Sequence, residues 1–158
     1  MKDIATLLTE YAAGPDLLAP KVASLPDDVV DAVPVPDKWS IRQVVCHVAD
    51  FEIVAADRIR RILAEDNPTL LDGDPDLFVD ALQYGHRDIN SELNLISAVR
   101  VSVAQILSAC DVEVFQRTGV HSAEGPMTLE TLLERSVNHV PHHLTFINEK
   151  LAALGHPC

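Results

Sequence analysis

The chain has 158 residues and a mass of 17.3 kDa, enough for one domain with a sizeable core and too little for two ordinary ones. Hydrophobic residues make up 47%, which argues against disorder, while aromatics make up only 4%, so the apolar content is mainly Leu, Val, Ala and Ile, a composition that suits packed helices. Twelve basic residues face 24 acidic ones, for a formal net charge of -12 with no basic block, so no nucleic-acid partner is expected.

The N-terminal stretch MKDIATLLTEYAAG carries Asp3 and Glu10, so it reads as a first helix and not as a secretory signal. Apolar residues from Ile4 to Val22 recur about once per turn and predict a helix over roughly 3–25, with an interruption allowed at Gly14-Pro15. Residues 25–38 read as a linker, because Pro34 and Pro36 deny them a regular interior. The second helix has the best start signal. Ser40 is followed three residues later by Gln43, a capping box, and Trp39 and Val44 have the spacing of a hydrophobic staple. This helix is expected to reach about Glu65, ended by Asn67-Pro68 and the polar run Asp72-Gly73-Asp74-Pro75.

A third helix is expected over about 78–110, with Leu93, Ile96, Val103 and Leu107 on its apolar face and Arg100 interrupting it. Val112, Val114 and Phe115 allow a short strand-like segment, or equally a loop. Thr128 can cap a last helix over about 129–154, with Met127 and Leu132 at staple spacing. The fold class is therefore all-α: a four-helix bundle with long connections that permit a crossover, one domain over residues 1–158. An irregular helical domain with a small hairpin near residue 115 is the alternative. No apolar run approaches the roughly 20 residues that span a bilayer, so no membrane partner is expected. Cys46, Cys110 and Cys158 are an odd set without framework spacing, which points to free thiols in a reducing cytoplasm.

Chemistry concentrates in NHVPHHLTF, residues 138–146. At about 100° per residue, His139 and His143 fall within the apolar arc of the last helix, while His142 falls on its rim or outside. Lys150 also falls inside the arc, where its long stem could carry the charge out to solvent. An i,i+4 histidine pair is the spacing of helical metal ligands, although a pair alone is weak evidence. His47, on the core edge of the second helix, is the strongest candidate for a third ligand. His86, His121 and His156 are weaker. A His47–His139–His143 set suits zinc or nickel and leaves a coordination position open for water or substrate. Pro141, between the two ligands of the last helix, predicts a kink or a local bulge.

Other candidates are weaker. Asp50 could orient an imidazole, but an exposed aspartate is the simpler reading. Glu52 lies within the apolar face and needs a partner, either as a general base or in a core salt bridge. Arg100 could pair with Glu52, hold a substrate carboxylate or snorkel. Cys46 reads as a buried structural thiol, and neither Cys110 nor Cys158 has neighbours that mark a nucleophile. No catalytic residue is assigned by these patterns.

Three motifs occur in a fixed order: WSIRQVVCHVADFE around His47, GPMTLETLLE at the start of the last helix, and HVPHH followed by a hydrophobic stretch. In these the chain resembles the DinB-like superfamily, a widespread bacterial group of four-helix metal-binding domains. The resemblance implies three histidine ligands, matching His47, His139 and His143, and does not extend to His142. It also implies a homodimer and metal-dependent transfer or isomerisation chemistry that uses a low-molecular-weight thiol and a small electrophile. Two functions compete on this reading. One is a divalent-metal enzyme for thiol transfer or hydrolysis. The other is a stress-related, non-catalytic metal-binding or scaffold protein, which a sealed histidine cluster would favour.

Overall fold

A computed structural model describes residues 2–156, so Cys158 lies outside the described residues. Helix α1 spans Ile4–Val22 and is capped by Asp3, whose side chain accepts from the Thr6 N–H. It runs through Gly14, Pro15 and Pro20 without a break, so the permitted interruption does not occur. The linker holds one short helix, α2 (Asp27–Val30). Helix α3 (Ile41–Ala64) begins at the capping box: the Gln43 N–H donates to Ser40 Oγ at 3.2 Å, and the Ser40 N–H donates to Gln43 Oε1 at 2.8 Å.

The expected helix over 78–110 is in fact two helices. After a short strand β1 (Thr69–Leu70), Asp74 caps α4 (Pro75–Ala81). Gln83 then takes a left-handed φ of 54°, a 3-10 turn covers Tyr84–His86, and Asp88 caps a new helix, α5 (Ile89–Ser108), by accepting from the Ser91 N–H. The left-handed residue ends the first helix, and the aspartate offers the backbone a fresh start.

Val112–Gln116 form a 3-10 turn that buries Phe115. The strand-like segment lies just beyond it. Strand β2 (Thr118–His121) pairs parallel with β1 and antiparallel with β3 (Gly125–Thr128), in the order β1-β2-β3. Gly125 has φ +81° and closes the hairpin, a conformation that costs glycine little. Strand β3 leads directly into α6 (Leu129–Ala153), capped by Thr128, whose Oγ1 accepts from the Thr131 N–H at 3.1 Å.

The four long helices form the bundle. Helix α1 packs on α5 and α6, and α3 packs on the same two. Helices α1 and α3 thus lie diagonally opposite, as do α5 and α6, and the long connections cross the bundle. The apolar core has two parts. One gathers Leu18, Val44, Val48, Ile96, Val140 and Ile147, and the other gathers Leu7, Ile59, Val103, Phe115, Leu129 and Leu133.

Between these two parts lies a buried polar node. Arg100 is fully buried and pairs with Glu52 Oε1 at 2.5 Å. Its guanidinium also donates to the carbonyl oxygens of Tyr11 at 2.9 Å and Ser136 at 2.7 Å, and it stacks 4.6 Å from the Tyr11 ring. The Gly14-Pro15 pair explains the fit. Pro15 has no N–H, so the Tyr11 carbonyl four residues before it is free to accept from Arg100. A Cβ at Gly14 would lie 1.9 Å from Arg100 Nη1, so only glycine leaves room for the guanidinium. What reads as a helix breaker is the seat of an arginine.

Candidate metal centre

His47 lies on the second turn of α3, so the capping box at Ser40 sets where its imidazole points. The hairpin and Thr128 set the start of α6, and with it His139 and His143. These elements bring the three imidazoles together. His139 Nε2 lies 3.3 Å from His47 Nε2 and 3.1 Å from His143 Nε2, and the three ligand nitrogens all lie within 4.8 Å of one another. Helix α6 continues through Pro141, so the proline does not spoil the i,i+4 pair. His142 is exposed, as its wheel position requires, and stacks edge-on against Phe146 at 4.8 Å.

The donor set fits a divalent ion. Metal–nitrogen bonds of about 2.0–2.1 Å at tetrahedral angles place neighbouring nitrogens about 3.3 Å apart. The two measured separations match that edge. Three Nε2 atoms that face one another can share few hydrogen bonds among themselves, and a cation at their centre accepts all three lone pairs. Burial pushes every imidazole toward its neutral, ligating form: His47 down to about 4, His139 to about 3 and His143 to about 2. Desolvation is the main cause for each, with repulsion from neighbouring histidines adding to it. Nδ1 of His47 and of His143 is buried without a hydrogen-bond partner, which leaves Nε2 as the nitrogen with a defined role.

The histidines are not sealed. His139 opens onto a cleft of about 110 Å³ bordered by Phe51, Met127, Arg58 and Arg135. His143 opens onto a second cleft of about 260 Å³ bordered by Trp39, Val44, Phe146 and Lys150, with Asp37, Lys38 and Asp76 exposed at its rim. Trp39 and Phe51 flank the His47 ring at 5.1 and 4.4 Å.

The other sequence candidates fall elsewhere. Asp50 is buried, not exposed, and does not reach an imidazole by hydrogen bond. Arg87 clamps it with Nη1–Oδ2 at 2.8 Å and Nη2–Oδ1 at 3.0 Å, and the same guanidinium binds Glu92. This ionic cluster joins α3 to the start of α5 across 37 residues, and no local signal announces it. Glu52 is in the core salt bridge, with Oε2 accepting from the Tyr11 hydroxyl at 3.4 Å. Burial lifts its carboxyl above the ordinary range, against the pull of Arg100. Arg100 is therefore neither snorkelled nor free for substrate. Cys46 is buried, its thiol pushed up to about 12 by desolvation, as a structural thiol should be. Lys150 departs from expectation: it does not reach solvent but stays 2% exposed against the second cleft.

Comparison with known proteins agrees with this architecture. The family model of the DinB superfamily matches residues 10–147. A protein of Oceanobacillus iheyensis named "putative metal-dependent hydrolase" is 26% identical over 133 residues, covering 84% of this chain and 77% of that protein. YfiT of Bacillus subtilis, with the same description, is 26% identical over 118 residues, covering 74% of this chain and 66% of YfiT. The solved structure of YfiT, described as "a probable metal-dependent hydrolase with an unusual four-helix bundle topology", superposes with a TM-score of 0.91 at 23% identity, over 97% of this chain and 88% of that one. No helix among the described residues is long and apolar enough to cross a membrane. With a family model matched over most of its length and the bundle in place, the chain belongs to the DinB superfamily.

Proposed function

We propose that this protein is a divalent-metal-dependent enzyme that uses His47, His139 and His143 as ligands, with zinc or nickel as the ion, to activate water or a small thiol against an electrophilic substrate. The observation that carries this reading is the convergence of three imidazoles bordered by two open clefts, one at His139 and one at His143. A sealed cluster would favour a scaffold; an accessible one leaves space for a fourth ligand. When bound, such an ion lowers the proton affinity of a coordinated water or thiol and so supplies a nucleophile at neutral pH.

The chain's own residues do the rest. The three imidazoles hold the ion from two helices that the bundle fixes. Trp39, Phe51 and Phe146 wall the site with apolar surface and limit water. Both nearby carboxylates are engaged by arginines, Asp50 by Arg87 and Glu52 by Arg100. Hydrolysis is supported by the relatives' descriptions, and thiol transfer by the same open site. The test is turnover of activated esters, with and without added thiol, by the zinc- or nickel-loaded protein. Chelation should abolish turnover, readdition of metal should restore it, and His143→Ala should be inactive. Turnover unchanged by chelation and by His143→Ala would overturn the proposal.

A further inference from the structure

Lys150 is the one buried cation that borders the His143 cleft. Among the described residues its ammonium has one hydrogen bond, a long one of 3.4 Å to the Phe146 carbonyl of its own helix, and it sits 5.9 Å from the Phe146 ring. Among the described residues no carboxylate lies within 4.0 Å of it. A buried charge without an ion-pair partner is costly, and the more distant attraction of Glu149 and the helix C-terminus recovers only part of that cost. Buried Arg100 and half-buried Arg87 show what this chain does with other inward-facing cations: each is held by carboxylates. Lys150 stands apart from that rule and faces a cleft.

The rest of the cleft describes the missing partner. Trp39, Val44 and Phe146 give apolar walls, and Val44 is buried. The rim charges of Asp37, Lys38 and Asp76 are exposed, so solvent screens them, while the buried ammonium acts at lower dielectric. His143 and Lys150 are two helical turns apart, about 10 Å along the axis. The geometry points to Lys150 as the anchor for the carboxylate of a substrate whose apolar or aromatic body lies along Trp39 and Phe146 and whose far end reaches the histidines. A single ammonium with no cluster of backbone N–H groups suits a monoanionic carboxylate better than a phosphate. This inference rests on the triad being the reactive centre, but its test does not need the metal.

Trp39 is the only tryptophan in the chain and lines this cleft, so its fluorescence reports occupancy directly. The experiment titrates the protein with phenylacetate and with its neutral isostere phenylacetamide, both zinc-loaded and after chelation. Wild type should bind phenylacetate more tightly by about tenfold in both forms. Lys150→Met and Lys150→Gln should reduce that preference to less than about twofold, Lys150→Arg should keep most of it, and Lys38→Met should keep all of it. Circular dichroism checks that each variant is folded, and zinc content should stay unchanged. The inference is overturned if wild type shows no saturable quenching by phenylacetate, or no preference for it. It is also overturned if the preference survives in the folded neutral variants, which would assign it to the metal. Loss of zinc binding by the histidine variants is a separate observation, so failure here and failure of the metal reading are told apart.

Discussion

Two polar groups sit at mid-bundle on the same helices, and they are built on opposite principles. Glu52 and Ser136 meet Arg100 in a node where the charges and carbonyls answer one another. His47, His139 and His143, one or two turns away along α3 and α6, meet in a cluster that cannot satisfy itself. The first lies buried between two apolar clusters, and only Glu52 and Ser136 border the His139 cleft; the second opens onto clefts on two sides. Burial alone therefore does not mark a functional residue in this fold. The mark is a buried polar group whose partner is absent from the chain.

The largest effect should come from breaking the closed node. Arg100→Met leaves Glu52 buried without its counter-ion, and by analogy with other broken buried pairs should cost about 3–5 kcal/mol in urea unfolding. Gly14→Ala should mimic it in part, because its methyl needs the space of the guanidinium. Metal content per folded chain should be unchanged in both. If Arg100→Met instead lost metal with no loss of stability, the two nodes would not be separate.

The second effect concerns pH and the open node. The folded-state values of His47, His139 and His143 lie well below the ordinary 6.5, at about 4, 3 and 2. Protons then bind the unfolded chain in preference, so this contribution to stability is present above about pH 6.5 and is lost as pH falls toward the folded values. Urea midpoints of metal-free wild type, measured from pH 7 down to pH 4, should fall more steeply than those of His143→Gln. Parallel slopes would mean that His143 is not held neutral by the fold. The smallest effect is that of His142→Ala. Its side chain is exposed, so stability should stay within about 0.5 kcal/mol of wild type.

Legibility from sequence followed the range of the interactions. The Ser40–Gln43 capping box and the Thr128 cap act within three residues, and both stand where the sequence places them. The histidine set was legible because helical phase and one cap determine where His47, His139 and His143 point. The break between α4 and α5 was not, because it depends on a left-handed Gln83, a residue type with no preference for that conformation. The residue types of Val112, Val114 and Phe115 allow a strand or a loop equally; packing decides, because Phe115 is drawn into the core as a 3-10 turn and pairing begins only at Thr118. The Arg87 clamp on Asp50 and the Arg100 seat at Gly14-Pro15 bridge distant segments, so no periodicity reports them. Lys150 stands in the sequence as a charge in an apolar arc, which predicts snorkelling; its burial beside a cleft depends on tertiary packing that helical phase does not report.

The central claim is that the three converging imidazoles hold a divalent ion. The most direct measurement is the zinc and nickel content, by elemental mass spectrometry, of wild type, His47→Ala, His143→Ala and His142→Ala, each equilibrated with the metal and then desalted. The account predicts about one ion per chain in wild type and His142→Ala, and close to none in the other two. Equal metal content in all four proteins would contradict it.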